Sequence, residues 1–271
     1  MVKRRRRGRK SQRKRERQTL LAGLGIIGIV GIGGALVWLA SERRAQMAAI
    51  DPDTFCHSTN MPAALLILVD ASDRLDAVEA ERARALLERE IARLPRHGRV
   101  DLYLANSADG ELSEPEFRRC NPGPAGSALV SDAAGDARRF SEDYFGALDT
   151  AFAAALAIEP ADTSPLLESI RSASTRSLAR LPDGTPVRVV VVSDLLQHSD
   201  VLSHYRSRED FGVFQASPGW SRAIADLRGA DVVLGYVTRA DQRQLQGRAH
   251  LAWWEDYVRA SGGRVEAVET F

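Results

Sequence analysis

The chain has 271 residues, a formal net charge of +1, two cysteines and five histidines. The near-zero total hides an asymmetry: residues 1–18 carry eleven Lys and Arg against Glu16 alone, whereas residues 51–271 hold 24 basic and 34 acidic side chains. Once the first 50 or so residues are set apart by composition, roughly 220 remain, enough for one domain with a sizeable core and too few for a second full one.

Taken alone, the basic run Lys3 to Arg17 has the look of a nucleic-acid or heparin patch. Its position argues otherwise, because Thr19 to Ala40 follows without one charged residue. As a helix of about 22 residues at ~1.5 Å each, this segment reaches ~33 Å, enough to cross a hydrocarbon layer of ~30 Å. A lone span in lipid must satisfy its backbone internally, so a helix is its expected form. Eleven basic residues before the span outweigh Arg43 and Arg44 after it, which places the N-terminus in the cytoplasm and the rest of the chain outside it, in the periplasm if the cell is Gram-negative. The competing reading is a cleaved signal peptide, whose apolar region is shorter and ends in a small-x-small site; here the run is longer and Trp38-Leu-Ala40 supplies a large residue where a small one is wanted. Gly25, Gly28, Gly31 and Gly34 recur every third residue, and Gly31-x-x-x-Ala35 is a small-x-x-x-small pair suited to close helix approach.

The expected organisation is therefore a basic cytoplasmic tail at 1–18, facing anionic lipid headgroups, a transmembrane helix at 19–40, a juxtamembrane connector at 41–62 and an extracytoplasmic α/β domain at 63–271. No nucleic acid is expected as a partner.

Ala64 to Asp70 is a continuous apolar strand of the kind buried on both faces of a parallel sheet. From Asp73 to Leu94 the apolar residues fall at threes and fours, a helix with Arg82 at the edge of its buried stripe. Arg99 to Ala105 alternates as a strand. Residues 106–135 are rich in Gly, Pro, Ser, Asn and Asp and read as loop, with a short edge strand near Phe117 to Cys120. A helix from about Ala137 to Ile158 ends at Pro160. Ser164-Pro165 resembles an N-cap with proline in the first turn, opening a helix to about Leu181. Pro186 to Asp194 is the second buried strand; then come a helix (Ser217 to Arg228), a strand (Asp231 to Thr238), a helix (Leu245 to Ser261) and a last strand (Arg264 to Val268). Strands alternating with helices imply right-handed crossovers and a mainly parallel, doubly wound sheet.

In such sheets ligands bind beyond the carboxyl ends of the strands, where strand order reverses. The residues there are Asp70-Ala-Ser72-Asp73-Arg74, Thr163-Ser164-Pro165 and Ser193-Asp194. In these stretches the chain resembles the von Willebrand factor A-like family, the fold of integrin inserted domains. Leu-Ile-Leu-Val-Asp70-Ala-Ser72 matches the family's apolar strand and Asp-x-Ser-x-Ser motif, Ser164-Pro-Leu-Leu-Glu-Ser-Ile170 its loop and helix, and Val-Val-Val-Val-Ser-Asp194 its second aspartate. The likeness spans about residues 64–270 and departs at Arg74, where the family has a second Ser.

The resemblance implies a binding module rather than an enzyme. Asp70, Ser72, Ser164 and Asp194 would hold Mg²⁺ or Mn²⁺ through carboxylate and hydroxyl oxygens, and the acidic side chain of an exported or membrane protein partner would complete the shell. Asp73 and Arg74 would modify the site, and two outcomes stand open: a weakened metal site, or an Arg–Asp pair in place of the ion. Asp70 and Asp194 as plain loop caps are the plainer alternative.

Other chemistries find less support. The histidines show no compact metal-ligand spacing, and Gln197 to Tyr205 reads as an exposed polar loop. No nucleophile elbow, Walker loop or dinucleotide fingerprint is present, and Ser72 stands where a phosphatase-like strand end would need a second Asp. An enzyme subunit or hydrolase of unknown substrate is the alternative function. Of Trp253 and Trp254, at least one is expected to pack on the sheet, leaving the other for a partner. Cys56 and Cys120 both fall in the exported part and are expected to pair across about 64 residues, with two buried thiols as the alternative.

Overall fold

The computed structural model describes residues 31–42, 50–51, 53–57, 61–72, 74–121, 133–156, 161–206 and 210–271. The chain divides into two compact units, Met1–Ile50 and Asp51–Phe271. In the first, residues 31–42 are helical, with Ile32, Leu36, Val37, Trp38 and Leu39 exposed. The basic tail at 1–18 and the larger part of the expected span at 19–40 lie outside the described residues; among those described, no helix is long and apolar enough to cross a membrane.

The second unit is an α/β fold built on a six-stranded sheet in the order β3-β2-β1-β4-β5-β6. The strands are β1 (Ala64–Asp70), β2 (Arg99–Ala105), β3 (Phe117–Cys120), β4 (Val187–Ser193), β5 (Asp231–Tyr236) and β6 (Arg264–Thr270). All neighbours run parallel except the edge pair β2–β3. The helices are α1 (Ala77–Ala92), α2 (Ala133–Leu156), α3 (Leu166–Ser177), α4 (Phe211–Gln215), α5 (Trp220–Ala223) and α6 (Arg248–Ala260).

Every residue of β1 is buried, because alternate side chains feed two cores. Leu66 and Leu68 join Val189 and Val191 of β4 on one face, beneath α3 and α6. Leu65, Ile67 and Val69 join Val190 and Val192 on the other, with α1 and α2. A sheet covered on both sides accounts for strands written as unbroken apolar runs rather than alternating ones. Gly235 belongs to the same packing: an added Cβ would lie 3.0 Å from Leu86 of α1.

Helix bounds differ from the expected ones where capping and turn chemistry override periodicity. Helix α1 starts at Ala77 rather than near Asp73, because Asp76 and Glu79 form a reciprocal capping box. Its inner face carries Glu90, 2 % exposed; the carboxylate is held by Arg93 at 2.9 Å and by Arg188 of β4, so the buried charge is compensated. The helix expected over 217–228 is only Trp220–Ala223. Beyond it Asp226 accepts from the Arg228 amide at 3.0 Å, and Arg228 and Gly229 both take positive φ, a turn rather than a further helical turn. The five-residue helix α4 was not foreseen. Helix α6 begins at Arg248 and not Leu245, since Gly247 adopts φ 132°, open only to glycine at low cost. Both Trp253 and Trp254 are buried, with Trp253 at the edge of a cleft rather than on an exposed face.

Cys56 and Cys120 form a disulfide across a sequence separation of 64, joining the segment before β1 to the edge strand β3. A loop of this length removes conformational freedom from the unfolded chain, so replacing both cysteines by serine is expected to cost about 2–4 kcal/mol in reversible unfolding. The pairing is checked by mass spectrometry of non-reduced peptides; full alkylation without prior reduction is the result that excludes it.

Candidate functional site

The strand order reverses between β1 and β4: the chain steps from β1 to β2 on one side, and from β4 to β5 and β6 on the other. A crevice is expected at the carboxyl ends of these two strands. Asp70, the last residue of β1, and Ser193, the last of β4, meet there, with Ser193 Oγ donating to Asp70 Oδ2 at 2.7 Å. Ser164 Oγ donates to the same oxygen at 3.1 Å, and the Ser72 amide donates to Oδ1 at 2.9 Å. One carboxylate, 8 % exposed, thus gathers the loop after β1, the loop before α3 and the end of β4.

Ser164 does not cap α3. The N-cap position is Pro165, with no side-chain capping bond, and the Ser164 hydroxyl is spent on Asp70 instead. The Ser164 backbone forms a two-way antiparallel bridge with His198, N to O at 2.9 Å and O to N at 2.8 Å. This bridge folds the segment after β4 back over the site. Gly110 lets the preceding loop approach α3: its φ is 74° and an added Cβ would sit 2.5 Å from that of Glu168.

Asp194 follows β4, and its Oδ1 accepts from the Leu196 amide at 2.8 Å. Ser72, Ser164 and Asp194 line one cleft of about 330 Å³ together with Asp162, Thr163, His198 and Tyr205. Asp70 is not in that lining and reaches it through the Ser164 hydroxyl. Of the two residues expected to modify the site, Asp73 lies outside the described residues. Arg74 is exposed, and its carbonyl accepts from Arg239 Nη2 at 3.0 Å. Arg239 also grips the Glu79 carboxylate at 2.9 and 3.1 Å, fixing the loop after β1 against the loop after β5.

The donor set, carboxylate and hydroxyl oxygens around an open cleft, is of the kind a hard divalent cation accepts. Only Asp70 and Asp194 supply charge among the four expected ligands, and Asp70 already accepts three hydrogen bonds. Among the described residues no group of three or more His, Cys, Asp or Glu is placed to hold a metal. The arrangement fits a weak hard-cation site at most.

The segment Gln197 to Tyr205, expected as an exposed polar loop, is exposed only in part: Asp200 and Tyr205 face solvent, whereas Gln197, Leu202, Ser203 and His204 are buried. Gln197 is fully buried, and its side chain accepts from the Leu167 amide at 2.9 Å and donates to Glu168 at 3.0 Å. His204 and His250 are each 8 % exposed and meet edge to face, centroids 4.9 Å apart. Burial lowers His204 to a pKa of about 3, with the neighbouring His250 adding to the effect; burial lowers His250 to about 4, against the opposing hydrogen bond to the Leu195 carbonyl. The sequence carried no periodic signal for this, because the segment is irregular and its burial comes from the bridge to Ser164. Asp162, His198 and Tyr205 were likewise not among the expected site residues; the run Asp162-Thr163-Ser164 is the nearest signal for the first.

Compared with known proteins, the chain matches no family model and no curated protein.

Two predictions follow from this geometry. Asp70→Asn keeps the shape but sets an amide donor against hydroxyl or amide donors, so the unfolding free energy should fall by about 1–3 kcal/mol; chemical denaturation measures it, and an unchanged midpoint would remove Asp70 from its organising role. The second concerns pH. His204 and His250 are neutral in the folded protein, while in the unfolded chain they titrate near 6.5. Their contribution is complete above pH 6.5 and is lost as pH falls toward 4 and then 3, because only the unfolded chain takes up protons in that window. Melting temperature should therefore drop between pH 6.5 and 5, before most carboxylates titrate; a flat profile there contradicts neutral, buried imidazoles.

Proposed function

We propose that the chain is a membrane-anchored, extracytoplasmic binding or assembly module of von Willebrand factor A-like type, which recognises another exported or membrane protein through the cleft at the carboxyl end of the sheet. The observation that carries this reading is the gathering of three loops by Asp70 at the point of strand-order reversal, beside a cleft lined by Ser72, Ser164 and Asp194. When Mg²⁺ or Mn²⁺ binds, it supplies a positive centre for an acidic side chain of the partner. Asp194 and the hydroxyls of Ser72 and Ser164 would hold it, and Asp70 would orient Ser164. Arg74 lowers the affinity by adding positive charge nearby.

The anchoring part of the reading rests on the uncharged run 19–40 behind eleven basic residues. The exposed apolar side chains of residues 31–42 support it, since a row of this kind is costly in water and satisfied in lipid. The basic tail then lies against anionic headgroups on the cytoplasmic side.

A second reading, hydrolysis, has one observation in its favour: Ser203 Oγ lies 2.8 Å from His198 Nδ1, a hydroxyl–imidazole pair. Ser203 is 6 % exposed and is not among the residues lining the cleft, which favours a structural hydrogen bond. Turnover of an ester substrate lost in Ser203→Ala would reverse that preference.

The proposal is tested by titrating Mg²⁺ or Mn²⁺ into the full chain while following thermal stability, because a ligand of the folded state must raise it by mass action. The expected result is a rise in the parent protein that disappears in Asp194→Ala. No rise at millimolar metal in the parent, with a rise gained in Arg74→Ser, would mean that the arginine has taken the ion's place. A reporter active only outside the cytoplasm, fused after Phe271, should be active; activity of a cytoplasmic reporter there overturns the topology.

A further inference from the structure

A second cleft, of about 620 Å³, opens at the N-terminus of α6 and involves none of the cation-site residues. We infer that it is a binding site for a carboxylate carried on an apolar, aromatic body.

The first argument is a surplus of donors. The N-cap of α6 is Gly247, which has no side chain to cap the helix, so the amides of its first turn stay open to a ligand. A buried side chain on the cleft is also without a partner: Nε1 of Trp253, in a residue 7 % exposed. The indole N–H can only donate. Buried polar groups are normally paired, and an orphan donor points to an absent acceptor.

The second argument is the company these donors keep. Arg248 lines the cleft and makes no ion pair among the described residues. The two carboxylates on the rim are already engaged: Asp210 accepts from the Gly212 amide and Asp256 pairs with Arg259. Their charges oppose a polyanion and tolerate a single carboxylate. The wall is apolar, with the rings of Phe211 and Trp253 at 5.4 Å, edge to face. Small-molecule sites share this form, a concave apolar wall with a few convergent polar groups.

Calorimetric titration of the full chain, purified in detergent, tests the assignment with three probes: phenylacetate, 2-phenylethylamine with the same ring but a cationic head, and inorganic phosphate with no apolar body. Phenylacetate should bind and raise the melting temperature, and neither of the others should. Trp253→Phe keeps the ring packing and deletes the N–H, and should weaken phenylacetate binding about tenfold or more. Arg248→Ala, an exposed change that leaves the fold intact, should weaken it as well and serves if the tryptophan variant does not fold. No uptake of phenylacetate by the folded parent at millimolar concentration overturns the inference. So do equal uptake of the amine or of phosphate, or unchanged affinity in Arg248→Ala.

Discussion

The carboxyl end of the sheet depends on one carboxylate. Asp70 ends a strand buried on both faces, so its position is set by the whole core, and its two oxygens accept hydrogen bonds from Ser72, Ser164 and Ser193. Remove that acceptor and three segments lose their common reference: the loop after β1, the loop before α3 and the end of β4. The bridge between Ser164 and His198 then extends the order outward, because a segment paired to Ser164 is placed by Asp70 at one remove.

Beyond that bridge the chain from Asp194 to Tyr205 serves two clefts. His198 and Tyr205 face the one beside Asp194, while His204 lies on the one at α6. The two are also joined behind the segment. The Leu195 carbonyl accepts from Trp254 Nε1 at 2.8 Å and from His250, and Gln246 reaches the Asp194 carbonyl at 3.0 Å. Leu195 pays for this placement with a positive φ of 61°, which for a residue with a branched side chain persists only where the surroundings over-determine it.

Much of the architecture was legible because the strands are written in a code that survives without context. The apolar runs at 64–70 and 187–193 have only one comfortable environment, a sheet covered on both sides, and the helices between them dictate parallel crossovers. The short edge strand at Phe117 and the cysteine pairing were also within reach. What the sequence concealed was decided by contacts between distant segments. Ser164 has the look of a helix cap, and only the approach of Asp70, 94 positions away, diverts its hydroxyl. Gln197 and His204 sit in a stretch that looks polar and therefore exposed, yet tertiary pairing buries both. The helix expected over 217–228 fails for a local reason, the Asp226 turn, which periodicity alone does not weigh. Among the candidate site residues, Ser72, Ser164 and Asp194 share a cleft with Asp70 behind them, while the neighbours that complete it, Asp162, His198 and Tyr205, come from stretches without a motif.

The disulfide has a mechanical meaning. Tension arriving along the chain from the N-terminal side meets Cys56 before it meets β1, and the covalent link passes it to Cys120 at the end of β3. The load therefore bypasses residues 57–63 and falls on the sheet's margin, where four antiparallel residue pairs join β3 to β2. The central strand that carries Asp70 is shielded from the first pull. A protein held at one end and gripped at the other would yield at that margin while the geometry around Asp70 stayed in register.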